Sequence, residues 1–237
     1  MKTAILLELA RGRAARQRIV VVTRLRDGAQ SLHLANGRQG DLELAEPVLA
    51  EIEERGVHDR SGRLRTDPGL FMRCYTPAHR LLIVGAVHIA QSLSPAARMA
   101  GFDVAIVDPR TAFATAARFP DTTLVQDWPD VAFETLAPDA QTAVVALSHD
   151  PKLDDPALVA ALASPAFYVG ALGSRRTHAA RLERFAARGI EGTERLRAPV
   201  GLDLGGRSAG EIAIAIIAEI IQVRHQARTG AADARPR

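Results

Sequence analysis

The chain has 237 residues, 47% of them hydrophobic, which is ample for a buried core in one large or two small domains and excludes a wholly disordered protein. Its single cysteine, Cys74, excludes an internal disulfide framework and fits a reducing compartment. The net charge of +3 is carried almost entirely by arginines scattered among acids, and 4% of residues are aromatic; a nucleic-acid partner would call for a dense basic stripe with interleaved aromatics, so none is expected.

The first residues place Ile5, Leu6 and Leu9 on a helical period broken by Glu8 and Arg11. This predicts a helical segment over 2–16 and neither a signal-peptide core nor a membrane span, so no membrane partner and a cytoplasmic address are expected. IVVVTRL at 19–25 reads as a strand, and Asp27-Gly28 has the chemistry of a hairpin turn into a strand at Gln30–Leu34. Asn36-Gly37 marks a second turn, Glu46-Pro47 opens a helix through Glu54, and Leu70–Tyr75 reads as a strand. Residues 1–77 are thus predicted to form a small α+β domain. Nothing in it gathers into a chemical constellation: Cys74 reads as a packing residue, and His33, His58 and His79 are too dispersed for metal-ligand spacing, so no metal site is expected.

Beyond Pro77 the pattern turns to alternating strands and helices. Apolar runs at Leu81–Val84, Val104–Val107, Thr122–Val125, Ala143–Leu147 and Phe167–Ala171 are short and nearly continuous, as in strands buried on both faces of a parallel sheet. Helical stretches are predicted near 88–100, 111–118, 130–137, 155–163, 175–188 and 209–225. The last opens with Ser208 and Glu211 spaced as a capping box. The expected fold class for 78–226 is α/β, a doubly wound Rossmann-like parallel sheet, with residues 227–237 as a disordered tail.

Polar residues gather where these strands end, the ligand-binding edge of an open α/β sheet. The first strand runs into Gly85-Ala86-Val87-His88-Ile89-Ala90, and Asp108 stands at the end of the second, just before Arg110. This imitates the dinucleotide fingerprint, with Gly85 for the tight turn and Asp108 for a ribose hydroxyl, but Val87 stands where a second glycine would let the backbone approach a pyrophosphate. His88 reads either as a local helix-start cap or as a ligand-facing imidazole, and Asp108 either as a ribose acceptor or as a strand-end contact to Arg110. Ser148-His149-Asp150 follows the fourth strand; sequence-adjacent Ser, His and Asp cannot form a catalytic triad, and His149 and Asp150 read either as ligand contacts or as ordinary loop polarity. A glycine-rich loop holding Asp203 precedes the final helix.

The most informative stretch is YVGALGSRRTH, residues 168–178. An apolar run stops at Gly173 and a helix opens at Ser174-Arg175-Arg176, which points free backbone amides at one spot and adds two guanidiniums. Such a cradle suits a phosphate or pyrophosphate. The alternative is that both arginines are solvated residues in a surface helix.

The segments LLIVGAVHIAQSL, FDVAIVDPR, VVALSHDPKLDDPAL, YVGALGSRRTHAARLERF and APVGLDLGGRSAGEIAIAIIAEII, in this order between Arg80 and Arg224, resemble the C-terminal Rossmann domain of the XdhC/CoxI family. The resemblance implies an accessory protein that binds the molybdenum cofactor, as molybdopterin or its dinucleotide form, protects it during maturation and helps load it into an apo molybdenum hydroxylase of the xanthine dehydrogenase type. A cofactor-sulfurating desulfurase and a second copy of the chain are further partners it implies. By motif position Gly85, Ala86, Val87, His88, Asp108, Arg110, Ser148, His149, Gly173, Ser174, Arg175, Arg176 and Asp203 would form the cofactor site, with no catalytic residue. Longer members carry an upstream Ser-Gly-Gly-Cys motif that this chain lacks; Cys74, in RCYTP, does not match it, so a thiolate contact to molybdenum would have to come from elsewhere. An NAD(P)-dependent oxidoreductase on the same scaffold is the competing reading, weakened by Val87 and by the lack of a Tyr-Lys proton donor pair.

Overall fold

The computed structural model describes residues 3–35 and 37–229, and these divide into two compact units at Pro77 and Ala78.

In the first unit, helix α1 (Thr3–Ala14) precedes strands β1 (Ile19–Arg24), β2 (Gln30–Leu34) and β3 (Gly37–Gly40); helix α2 (Glu46–Val57) and strands β4 (Gly62–Arg63) and β5 (Leu70–Tyr75) follow. The strands form an antiparallel sheet in the order β3-β2-β1-β5-β4. The IVVV run of β1 serves both faces: Ile19 and Val21 join Ile5 and Leu9 of α1, while Val20 and Val22 join Val48 and Ile52 of α2. The β1–β2 turn uses Asp27-Gly28 as predicted, with Gly28 at φ +73° and the Asp27 carboxylate accepting the Ala29 amide. The turn predicted at Asn36-Gly37 involves Asn36, which lies outside the described residues. Strands β3 and β4 escape a reading of the sequence, because an exposed GRQG and a two-residue pairing carry no apolar alternation. Cys74 is half-buried in β5, where burial pushes its thiol up.

The second unit runs β6 (Arg80–Val84), α3 (His88–Met99), β7 (Asp103–Val107), β8 (Thr123–Val125), α4 (Pro129–Leu136), β9 (Thr142–Ala146), α5 (Pro151–Ala163), β10 (Tyr168–Ala171), α6 (Arg175–Ala187), β11 (Leu196–Arg197) and α7 (Ala209–Thr229). Its sheet is parallel throughout, in the order β11-β10-β9-β6-β7-β8. Chain order reverses at β6, which pairs with β7 on one side and β9 on the other. Alternate side chains serve opposite faces, so Leu81 and Ile83 pack with α3 and α7, whereas Leu82 and Val84 pack with α4, α5 and α6. This is the expected doubly wound α/β fold. Each such fully buried side chain contributes roughly 1.5–3 kcal/mol, which explains why the central strands read as unbroken apolar runs. Helix α7 starts with the predicted capping box, Glu211 Oε2 accepting the Ser208 amide at 3.0 Å and Ser208 Oγ accepting the Glu211 amide at 3.3 Å. Among the described residues no helix is long and apolar enough to cross a membrane.

Three sequence expectations change. Residues 111–118 form successive single turns, not a helix: the Phe113 and Ala114 amides both close on the Arg110 carbonyl, and those of Arg118 and Phe119 on Thr115. Pro109 and Pro120 bracket a stretch too short to offset helix nucleation, and Ala114 and Phe119 are drawn into the core instead. Helix α5 starts at Pro151, earlier than 155, because Asp150 caps it by accepting the Lys152 amide and proline suits the first helical position. Helix α7 continues to Thr229, three residues into the predicted tail; the remainder of that tail, 230–237, lies outside the described residues.

In the first unit, the buried Glu51 of α2 accepts the Arg65 and Thr66 amides at 2.8 Å each, the Thr66 hydroxyl at 2.7 Å and the Arg55 guanidinium at 3.2 Å. Burial pushes this carboxyl up, but these donors outweigh it and hold it at about 2, below the ordinary glutamate value of 4.5. A carboxylate depressed on folding stabilises fully above the unfolded value and loses that contribution as pH falls through the folded one. Glu51→Gln is therefore expected to destabilise the first unit by about 1–3 kcal/mol at neutral pH. In urea unfolding, the gap from wild type should close as pH falls from 4.5 toward 2; a gap independent of pH would contradict this.

Candidate functional site

Because the second sheet is wholly parallel, β6, β7, β9 and β10 all end on one edge, and the residues that follow them meet there. In a doubly wound sheet the ligand crevice lies where strand order reverses, here between the exits of β6 and β9. Its floor is set by Gly85, at φ +102°; a Cβ on Gly85 would lie 2.8 Å from the Ser148 amide nitrogen and 2.9 Å from the Ser148 Cα. Two backbones thus pass too closely for any side chain, in a conformation that L-residues rarely adopt. Val87 occupies the N-cap of α3, offers no side-chain cap, and packs partly buried against the core cluster. His88 is exposed and its imidazole reaches Gln91 at 3.3 Å instead of capping a helix amide. The first turn of α3 therefore keeps its amides without a side-chain cap.

The β7 exit is held by Asp108, whose side chain is fully buried. Its carboxylate accepts the Ala86 amide at 2.7 Å, the Arg110 amide at 3.0 Å, and Arg110 Nε and Nη2 at 2.9 and 2.7 Å. Burial pushes this carboxyl up, but the Arg110 guanidinium and the two amides hold it below the usual range. Arg110, raised chiefly by Asp108 and further by Asp150 and Asp154, also lies over the Phe113 ring at 4.6 Å. The contact to Arg110, one of the two readings open for Asp108, is present.

At the β9 exit His149 is exposed and left-handed, at φ +62°, an uncommon state for a non-glycine residue and one that clusters at functional sites. Ser148 and Asp154 hold the turn. Ser148 Oγ donates to Asp154 Oδ1 at 2.6 Å and accepts the Asp150 amide at 3.0 Å, and the Ser148 amide donates to the same Asp154 oxygen at 3.2 Å. Sequence reasoning missed Asp154, although it shares the apolar face of α5 with Ala157, Leu158 and Ala161. It also missed Arg181, on α6 one turn before the buried Phe185. These two are 1% and 3% exposed. Burial pushes the Asp154 carboxyl up and the Arg181 guanidinium down.

At the β10 exit Gly173, at φ +142°, leads into Ser174, which caps α6 by accepting the Thr177 amide at 3.1 Å. The amides of Arg175 and Arg176 have no acceptor within the helix. Both side chains are exposed, neither meets an acid among the described residues, and the first turn of α6 holds no acidic residue. The loop carrying Asp203 follows β11 and is tied to the β10 end: the Val200 amide bonds to the Ala171 carbonyl, and the Gly201 amide donates to Glu219 of α7 at 2.9 Å. Asp203 itself is exposed. The edge thus offers two helix N-termini and two guanidiniums that meet no acid among the described residues, an arrangement that attracts and orients an anion.

The family model described as the XdhC Rossmann domain matches residues 81–220. The chain is 36% identical over 155 residues to the molybdenum cofactor insertion chaperone PaoD of Escherichia coli, covering 64% of this chain and 42% of that protein. It is 30% identical over 156 residues to a probable xanthine dehydrogenase subunit of Bacillus subtilis, covering 65% and 46% respectively. With the uncharacterised protein YqeB of E. coli it shares 29% identity over 194 residues, covering 77% and 36%. The chain therefore spans less than half the length of these curated relatives. A crystal structure of a xanthine dehydrogenase from Bacillus halodurans superposes with a TM-score of 0.75 at 23% identity, covering 96% of this chain and 68% of that one, and shares the fold.

The Gly85 contact has a direct test. Gly85→Ala is expected to cost on the order of 2 kcal/mol, from strain at positive φ and from collision with the Ser148 backbone. Because two of the three closest atoms, the Ser148 amide nitrogen and Cα, belong to the main chain, adding Ser148→Gly, which removes the third, its Cβ at 2.9 Å, should not restore stability. Restoration in the double variant, measured by thermal unfolding, would place the obstruction in the Ser148 side chain instead.

Proposed function

This chain belongs to the XdhC family, and on that premise we propose that it is an accessory protein that binds the molybdenum cofactor and assists its insertion into an apo molybdenum hydroxylase. The observation that carries this reading is the start of α6, where Ser174 caps the helix and the Arg175 and Arg176 guanidiniums meet no acid among the described residues. Cations at the positive end of a helix dipole are unfavourable by themselves; a bound phosphate reverses that balance. Molybdopterin carries a phosphate and its dinucleotide form a pyrophosphate. The amides of α6 and α3 and the two guanidiniums would hold that end of the cargo, with Gly85 letting it approach the backbone between β6 and β9. His149 and Asp203, exposed on the adjoining loops, are the side chains placed to contact the remainder. The relative PaoD, a molybdenum cofactor insertion chaperone, supports the same reading.

Nicotinamide binding receives less support. The acid that would hold a ribose hydroxyl, Asp108, is fully buried and committed to Ala86 and Arg110, and Val87 stands in the glycine position of the fingerprint.

Charge-assisted hydrogen bonds from each arginine are worth roughly 1.5–3 kcal/mol. In Arg175→Ala/Arg176→Ala, cofactor affinity is expected to fall by about tenfold or more per arginine, while the unfolding temperature stays level or rises slightly. The test is a cofactor titration beside thermal unfolding. Unchanged affinity with an intact fold would make the arginines solvated surface residues, and loss of the fold would make them structural; either result contradicts the proposal.

A further inference from the structure

The charges between α5 and α6 form a network whose contacts are of very different quality. Arg184 grips Asp155 through both oxygens, at 2.8 and 3.0 Å. That pair suffices to dock one helix on the other. Arg181 lies deeper and is poorly matched to either acid: it comes no closer than 3.8 Å to Asp154 or to Asp155, and Asp154 Oδ2, Arg181 Nε and Arg181 Nη1 have no hydrogen-bond partner among the described residues. A buried pair so loosely made does not offset its desolvation, and apolar side chains of similar volume would serve stability as well or better. The bonds it does make lead elsewhere. Asp154 Oδ1 takes the Ser148 hydroxyl and amide at the β9 exit, and Arg181 Nη2 donates to the Leu172 carbonyl at the β10 exit at 3.4 Å.

We propose that Asp154 and Arg181 are positioning residues that tie the Ser148–Asp150 turn to the Leu172–Ser174 segment, so that the two sides of the crevice are set as one unit. This rests on the anion-binding reading above only for its consequence, since the coupling itself is a property of the free protein. The Ser148 bonds hold His149 in its left-handed conformation, and Leu172 directs Gly173 and Ser174, which aim the amides of α6. One charge pair thus reaches both the turn that displays His149 and the helix start that displays Arg175 and Arg176.

The test is the paired variant Asp154→Leu/Arg181→Met, which removes both charges at similar volume and leaves Asp155–Arg184 in place. Amide hydrogen exchange of the ligand-free protein should quicken by about tenfold or more, the equivalent of one lost hydrogen bond, at the bonded amides of Asp150, Leu172 and Thr177 together. The unfolding temperature should not fall. Affinity for inorganic pyrophosphate should weaken by a similar factor although Arg175 and Arg176 are intact. Unchanged exchange at either segment would overturn the coupling. Should the paired variant not fold, Asp154→Asn keeps the shape and the Ser148 bond but removes one of the two carboxylates facing Arg181; quickened exchange at the Leu172 and Thr177 amides supports the proposal and wild-type exchange there overturns it. If the wild type fails to bind pyrophosphate while the exchange arm behaves as stated, the anion site falls and the coupling stands.

Discussion

The contact between Gly85 and Ser148 is the constraint on which the functional edge depends. Parallel pairing of β6 with β9 in register brings Val84 opposite Ala146, and the chains then diverge only after their backbones have passed within contact of one another. That approach needs a residue without a side chain at positive φ. It also fixes where α3 begins, where the Ser148 turn sits, and how near the uncapped start of α3 comes to the β9 exit. The remaining strand exits are referenced to this point through the sheet.

Charge at this edge follows a simple balance. Its buried acids are already engaged by donors of the protein: Asp108 by Ala86 and Arg110, and Asp154 by Ser148. Asp150 is engaged in capping α5. Left uncompensated are Arg175, Arg176 and the first-turn amides of two helices, against the exposed Asp203 on the adjoining loop. Under the proposed reading such an edge would favour an anion, and the engagement of Asp108 by Ala86 and Arg110 counts against a ribose-binding role. The cargo proposed here rests on family membership, and the residues supply the reason that its phosphate end would be the part gripped.

Much of this is legible in the sequence because each feature has a local cause. The strands of the second unit are buried on both faces, and unbroken apolar runs declare that. Ser208 and Glu211 reveal the start of α7 through a capping box, and Ser174 reveals that of α6 in the same local way. Features that depend on distant partners are not legible. Residues 111–118 carry helical spacing, yet the core claims Ala114 and Phe119. Asp150 resembles loop polarity because its cap is visible only once α5 is known to begin at Pro151. Asp154 and Arg181 resemble ordinary polar residues on surface helices, and the one clue is that Asp154 falls on the apolar stripe with Ala157, Leu158 and Ala161. A charge on a core-facing stripe is a hint of function that a reading by composition alone passes over.

Whether this crevice carries the phosphate end of a molybdenum cofactor without turning over a nicotinamide is tested most directly by one measurement. It is the molybdenum, phosphorus and pterin content of the protein purified from cells that also make the cofactor, assayed alongside NADH and NADPH oxidation by the same sample. Bound pterin and phosphorus in stoichiometric ratio, with no nicotinamide turnover, is the predicted result. Pterin at background level, or sustained nicotinamide oxidation by protein free of contaminating dehydrogenase, would contradict it.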